Sequence, residues 1–287
     1  MLKIGVITDG ISQDFEYALD VMAESGLEYV EIQSLWNKEV EDLAPNEVRK
    51  VTDLIGERDM KVSCISPLLF SKIPLLTKPD ETSHLNSYTQ HIETLKRCIN
   101  LAKALGTNLV RIFSFKSELV LFGSKVIGVK DVWKTFLKKL EEPVKIAEKE
   151  SIVLVIETAI FDNISTAALA KKLIEEIGSE NLRVLWDPCN TLYSNEVPYP
   201  NGYDLIKNYI VHIHFKDGMV DRPMATFNCC PLDKGQMKPY YPGIVRALRK
   251  DRYQGVISLE SVYVPENRTR EDGFRESLPM FKKITGA

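Results

Sequence analysis

The chain has 287 residues, 44% of them hydrophobic and 27% charged, enough to bury a large core and to rule out a disordered or fibrous class. Its formal net charge of −3, from 37 Lys plus Arg against 40 Asp plus Glu, comes without any basic run, which excludes a general attraction to nucleic acid or to an anionic membrane surface. No apolar run reaches the roughly 18 residues that span a bilayer. The opening MLKIGVITDG breaks at Asp9 and Gly10, too early for a signal peptide, so a soluble cytoplasmic protein is expected.

Short β-branched runs alternate with longer segments of helical period from end to end. The predicted strands are Lys3–Thr8, Tyr29–Ile32, Lys61–Ile65, Leu109–Ile112, Ile152–Ile156, Leu182–Trp186, Ile210–His214 and Gly255–Leu259. Between them the spacing predicts helices over Phe15–Ser25, Asn46–Asp59, Ser83–Leu105, Lys130–Glu150, Ser165–Ile177, a weaker one over Gly202–Asn208, then Tyr240–Asp251 and Arg270–Ile284. The third buries Ile92, Leu95, Ile99 and Ala102 and stops at Gly106. The fourth carries Val132, Phe136, Leu140 and Val144 on one face, with Pro143 expected to kink or split it.

Eight alternations without a Pro-, Gly- or Ser-rich linker predict an α/β fold, a single-domain (β/α)8 TIM barrel over residues 1–287. A doubly wound open sheet is the alternative, but TDGIS after the first strand is no G-x-G-x-x-G turn. The longest irregular pieces, Pro67–Thr82, Ser114–Val129 and Gly218–Pro239, all follow strands. In a barrel such loops stand at the C-terminal face, where active sites are built. Five scattered cysteines (Cys64, Cys98, Cys189, Cys229, Cys230) lack C-x-x-C spacing, so reduced thiols are expected.

The last four strands end on chemistry. VLVIET ends at Glu157, RVLWDPCN at Asp187, VHIHFKD carries His212 and His214, and GVISLES ends at Glu260. A carboxylate directly after several apolar residues is costly to desolvate unless paired, and singly each reads as a buried ion pair or a helix cap. Together they stand 30, 27 and 46 residues apart, about one or one and a half strand-helix repeats, so four side chains can converge at one rim. Three carboxylates and an imidazole facing one another repel unless a divalent cation lies between them. The mixed O and N donors suit one Mn²⁺, Co²⁺ or Mg²⁺ ion, with Zn²⁺ also compatible.

His212 and His214 lie two apart on one strand and so share a face. His214 is nearer the C-terminal end and is the expected ligand; His212 sits one layer deeper, either as a hydrogen-bonded core histidine or as a residue that orients a ligand. His84 and His91 read as helix-surface residues. Further rim candidates are Glu31, Gln33, Ser66, Lys72, Arg111 and Lys216. Lys216, two residues past His214, could bind a substrate hydroxyl, enolate oxygen or phosphate, or pair with Asp217 or another barrel acid. Trp36, Phe70, Phe113, Phe115 and Trp186 are packing residues or apolar cavity walls.

On VLVIET, WDPCNTLYSNE, VHIHFKD and YQGVISLES, and more loosely LEYVEI, VSCISP and VRIFSF, the chain resembles the xylose isomerase-like TIM-barrel superfamily of sugar phosphate isomerases and epimerases. The resemblance covers nearly the whole chain. It implies a metal held by Glu157, Asp187, His214 and Glu260 and, from the epimerase branch, acid and base roles for Glu157 and Glu260 on opposite faces of a sugar. A cation that polarises a carbonyl and stabilises an enediolate acidifies the adjacent C–H, which a carboxylate can then deprotonate.

The chain departs from ketose 3-epimerases, which carry a histidine at the position of Asn190, an acid at Asn163 and an arginine at Val220; Arg222 is close but displaced. The expectation is therefore a divalent-metal-dependent isomerase or epimerase of a sugar, keto-sugar or cyclitol, with Lys216, Asn190, Arg222, Ser66, Arg111 and Glu31 as candidate substrate contacts. A dehydratase or lyase on a keto-sugar or keto-glycoside would share the site and expel a leaving group. An endonuclease IV-like enzyme would need more histidines and a basic DNA face, and a non-catalytic sugar-binding barrel is the remaining alternative. The partner expected is a small sugar or keto-sugar, with neither nucleic acid nor membrane, and self-association is left open.

Overall fold

In a computed structural model, eight strands close into a barrel: Lys3–Ile7 (β1), Tyr29–Ile32 (β2), Lys61–Ile65 (β3), Leu109–Ile112 (β4), Val153–Glu157 (β5), Leu182–Trp186 (β6), Ile210–Phe215 (β7) and Val256–Leu259 (β8). All residues are described except 72, 76–86, 118–120, 123–124, 127–128, 161, 222, 225 and 287, and only the backbone of 121–122, 125–126 and 129–131. Each strand pairs in parallel with its sequence neighbours, and β8 returns to β1 through Lys3–Val256 to Val6–Leu259. Closure leaves no strand edge exposed. The strands are buried on both faces, as parallel strands under a helical layer must be, which is why β5 reads VLVIE with only Val153 half-exposed.

The outer layer consists of Phe15–Glu24 (α1), Pro45–Gly56 (α2), Tyr88–Ala104 (α3), Val129–Glu150 (α4), Ala167–Ile177 (α5), the short Pro188–Tyr193 (α6) and Tyr203–Ile206 (α7), then Tyr241–Lys250 (α8) and Arg270–Thr285 (α9). Side-chain caps from Asp14, Ser87, Thr166 and Thr269 start α1, α3, α5 and α9. Helix α4 is not split at Pro143, which lies buried beside Val144 on the barrel-facing side while the helix runs through it. Phe15, Leu19, Phe136, Leu140, Leu173, Leu248 and Phe281 form part of the continuous core between helices and strands. Among the described residues no helix is long and apolar enough to cross a membrane.

The barrel interior has its own small core of Cys64, Val155 and Leu185, with Leu109, Val153 and Val211 packed against it. Strand side chains recur on one face every second residue. The positions two beyond Leu109, Val155 and Leu185 are Arg111, Glu157 and Asp187. An apolar plug therefore fills the lower barrel, and a charged layer stands directly on it at the C-terminal rim. The irregular stretch expected after β7 contains an antiparallel hairpin, Asp217–Asp221 with Thr226–Cys230.

Candidate metal centre

Glu157, Asp187, His214 and Glu260, from the ends of β5, β6, β7 and β8, bring one ligand atom each to within 4.8 Å of one another. That spacing is close to the ~4.2 Å between opposite ligands of an octahedral ion with bonds of about 2.1 Å. The side chains of Asp187 and His214 are fully buried, Glu157 is 3% exposed and Glu260 14%, so Glu260 is the member most open to the barrel mouth.

Each member is oriented by what its other polar atoms do. Asp187 caps α6: its Oδ1 accepts from the backbone N–H of Cys189 and Asn190 at 2.9 and 3.0 Å, leaving Oδ2 turned inward. Glu157 Oε2 accepts from Arg111 Nη1 at 3.1 Å and Oε1 from Asn190 Nδ2 at 3.3 Å. His214 Nε2 lies 2.8 Å from Glu31 Oε1, so its Nδ1 is the other nitrogen, and this buried atom has no hydrogen-bond partner among the described residues. It faces Glu157 Oε1 and Glu260 Oε2, each at 3.8 Å. Nε2 of His212 is 2.6 Å from the other oxygen of Glu31 and 3.3 Å from Ser258 Oγ. One carboxylate from β2 thus ties down both histidines, and Ser66 Oγ donates to it as well.

Lys216 reaches in from the end of β7, its Nζ 2.7 Å from Glu260 Oε2 and 2.8 Å from Asp187 Oδ2. The contact to Asp187 is an ion contact without hydrogen-bond alignment. Asp217, the sequence alternative for its partner, instead accepts from the backbone N–H groups of Gly218, Asp233, Gly235 and Met237. A side chain at Gly235 would collide with the Asp217 carboxylate, so this glycine lets the loop close around it.

The electrostatics follow from burial. Desolvation pushes the Asp187 carboxyl up, to about 6, although Lys216 pulls it down. Burial also works against the Glu260 carboxylate, but Lys216 and His214 more than offset it and hold it at about 2. Burial opposes charge on His214, yet the Glu31 and Glu157 carboxylates hold its pKa well above the ordinary histidine value. The same two histidines keep Glu31 well below the carboxylate range against the cost of its burial. Four carboxylates against Arg111 and Lys216 leave two negative charges in one buried cluster. A proton on His214 offsets one of them. The donor set therefore fits a divalent ion in place of that proton.

The candidate contacts sort differently from their sequence reading. Glu31, Ser66 and Arg111 are 0 to 1% exposed and lie behind the cluster as supports rather than lining a cavity. Arg111 is fully engaged with Glu157, with Gln33 Oε1 at 2.7 Å and with the Ser66 carbonyl at 2.6 Å. Its guanidinium also lies over the Phe113 ring. Asn190 touches Glu157 and the Thr158 carbonyl. Arg222, Lys72 and His84 fall outside the described residues. Phe70, Phe115 and Trp186 are fully buried packing residues. Sequence reasoning missed Asp9 after β1, buried with an unpartnered Oδ1, and Asp162 after β5, whose carboxyl burial pushes to about 8. Thr8 separates Asp9 from the apolar run of β1, and Asp162 follows the apolar 159–161 stretch but lies beyond the end of β5, so neither directly follows an apolar strand run.

The family model described as xylose isomerase-like TIM barrel matches residues 19–284. The chain belongs to that family. No curated protein matched by sequence. Among solved structures, a probable 3-DHS dehydratase involved in petrobactin synthesis from Bacillus anthracis is 16% identical, with a TM-score of 0.75 over 98% of this chain and 99% of that one. A 3-keto-D-glucoside 4-epimerase from E. coli is 15% identical, TM-score 0.74, covering 100% of each chain. A xylose isomerase-like TIM barrel protein from Mycobacterium smegmatis in complex with magnesium is 16% identical, TM-score 0.68, over 95% of this chain and 88% of that one. At these identities the likeness is one of fold.

Proposed function

We propose that this family member is a divalent-metal-dependent isomerase or epimerase of a sugar, keto-sugar or cyclitol, moving a proton beside a carbonyl, with Glu157, Asp187, His214 and Glu260 as the metal ligands. The observation that carries the reading is the buried cluster itself: four ligand atoms gathered from four consecutive strand ends, with His214 Nδ1 unpartnered between two glutamates. A divalent ion bound there would polarise the substrate carbonyl and acidify the neighbouring C–H.

The protein's own groups do the rest. Glu157 and Glu260 stand on β5 and β8, which are not neighbours in the barrel, so their carboxylates approach a bound substrate from different sides, one removing a proton and the other returning it. Glu260 is the more open of the two, and a divalent ion beside it would keep it ionised, so it is suited to proton removal down to mildly acidic pH. Lys216 and Asn190 are the candidate contacts for substrate oxygens. The 3-keto-D-glucoside 4-epimerase and the dehydratase among the structural neighbours favour substrates with a carbonyl beside the reacting carbon. A dehydratase or lyase is the second reading, since it begins with the same proton abstraction.

The test is a panel of keto-sugars and cyclitols incubated with Mn²⁺-loaded protein in D₂O. Turnover with deuterium entering at the carbon next to the carbonyl is expected, together with loss of turnover on EDTA treatment. Active turnover without deuterium uptake would replace proton transfer with hydride shift, and appearance of an unsaturated product would select the dehydratase.

A further inference from the structure

We propose that Lys216 is the resident cation of the ion-free site and that loading a divalent cation displaces its ammonium from Asp187 and Glu260. The inference rests on the metal reading above and concerns what that loading must overcome. Its ground is that ion and ammonium need the same two atoms. Asp187 Oδ1 is occupied by two backbone N–H groups of α6, so only Oδ2 is left for a ligand, and Oδ2 is the atom 2.8 Å from Lys216 Nζ. For Glu260, the oxygen 3.8 Å from Nδ1 of His214 is Oε2. That same oxygen is 2.7 Å from Lys216 Nζ. A divalent ion about 2.1 Å from both oxygens would stand at most about 5 Å from an ammonium held by the same two, in a pocket where charge is poorly screened.

The backbone cannot absorb the conflict. The Lys216 carbonyl accepts from the buried Tyr241 hydroxyl, and the next residue, Asp217, is pinned by four backbone N–H groups. The change must therefore be a rotation of the four-carbon lysine stem. Glu260, at 14% the most exposed carboxylate of the cluster, marks the side toward which the ammonium is released. The ammonium keeps two buried carboxylates from facing each other unpaired.

The exchange is tested by calorimetric titration of Mn²⁺ into chelator-treated wild type, Lys216→Met and Lys216→Arg, with melting temperatures taken with and without Mn²⁺. Lys216→Met should bind Mn²⁺ at least tenfold more tightly than wild type, which is about 1.4 kcal/mol. Without metal it should melt lower, because removing one partner of a buried pair leaves the other charge uncompensated, and its Mn²⁺-induced rise should exceed that of wild type. Lys216→Arg, which keeps the charge, should bind no more tightly than wild type. If Lys216→Met is isolated only with Mn²⁺ present, its affinity is read by competition with a fluorescent chelator. Equal or weaker binding by Lys216→Met, with measurable binding by wild type, overturns the exchange and leaves the metal site standing. No Mn²⁺ binding by any of the three removes the metal site and the exchange with it.

Discussion

The two halves of the barrel rim do different work. Strands β5 to β8 deliver Glu157, Asp187, His214 and Glu260, the atoms that can touch an ion or a substrate. From β2 and β4 come Glu31 and Arg111, which touch those residues instead: Glu31, itself bonded by Ser66, holds both histidines, and Arg111 holds Glu157. A reacting group is useful only if its orientation and charge are fixed. The difference teaches that the charged layer has two parts facing across the barrel, one proposed to react and one that holds it in place, and that a buried polar residue at a strand end can belong to either.

The comparison is broken most severely at Arg111. If it is a support, Arg111→Met should destabilise the fold by about 3–5 kcal/mol, because Glu157 is left as an uncompensated buried charge. Denaturant unfolding measures this, and a variant with normal stability would move Arg111 to the reactive side. The opposite pattern is expected for Glu157→Gln and Glu260→Gln: turnover falls at least about a hundredfold while metal is retained in part and the cooperative unfolding transition persists. Normal turnover in both variants would remove them from the chemistry.

Glu31→Gln should fall between these. Replacing the carboxylate frees both histidine rings and should weaken metal binding by about ten- to a hundredfold, the usual effect of losing a partner of a metal-ligating histidine, with a ring-nitrogen NMR shift at His214. His212→Asn removes only one side of that clamp and should cost less than His214→Ala; equal loss of metal would make His212 a ligand.

A further effect, read only as a pH dependence of stability, is expected at Asp162. Its carboxyl is raised from 3.8 to about 8, first by burial and further by Glu157, against the Ser114 N–H. Between those two values the folded chain holds a proton that the unfolded chain has lost, so this group makes stability fall as pH rises through that window. Asp162→Asn should flatten that slope and melt above wild type at pH 9. An unchanged slope would show that Asp162 is ionised in the fold.

That Glu157, Asp187, His214 and Glu260 meet at one rim was legible in the sequence, and the place of Glu31, Ser66 and Arg111 behind them was not, for a physical reason. Glu157, Asp187 and Glu260 each follow an apolar strand run directly, and short buried runs also fixed Tyr29–Ile32, Lys61–Ile65, Leu109–Ile112 and Leu182–Trp186 to the residue. The role of Glu31 depends on a partner 183 residues away across the closed barrel and that of Arg111 on one 46 residues away on the next strand, so nothing in their local pattern separates a support from a substrate contact. The hairpin after β7 escaped because Asp217 organises that loop through backbone N–H groups, which leave no mark in side-chain periodicity. Pro143 does not split α4 despite the hydrogen bond it removes and its crowding of the preceding turn, because the helix is held by a buried face including Phe136, Leu140 and Val144.

The central claim is that the four reactive residues form one metal site, and elemental analysis of dialysed wild type, Asp187→Asn and His214→Ala tests it most directly. The account predicts one divalent ion per wild-type chain after loading with Mn²⁺, Co²⁺ or Mg²⁺, and affinity reduced by more than tenfold in each variant, which is more than about 1.4 kcal/mol. Folded variants that hold metal as tightly as wild type, or a wild type that holds none, would contradict it.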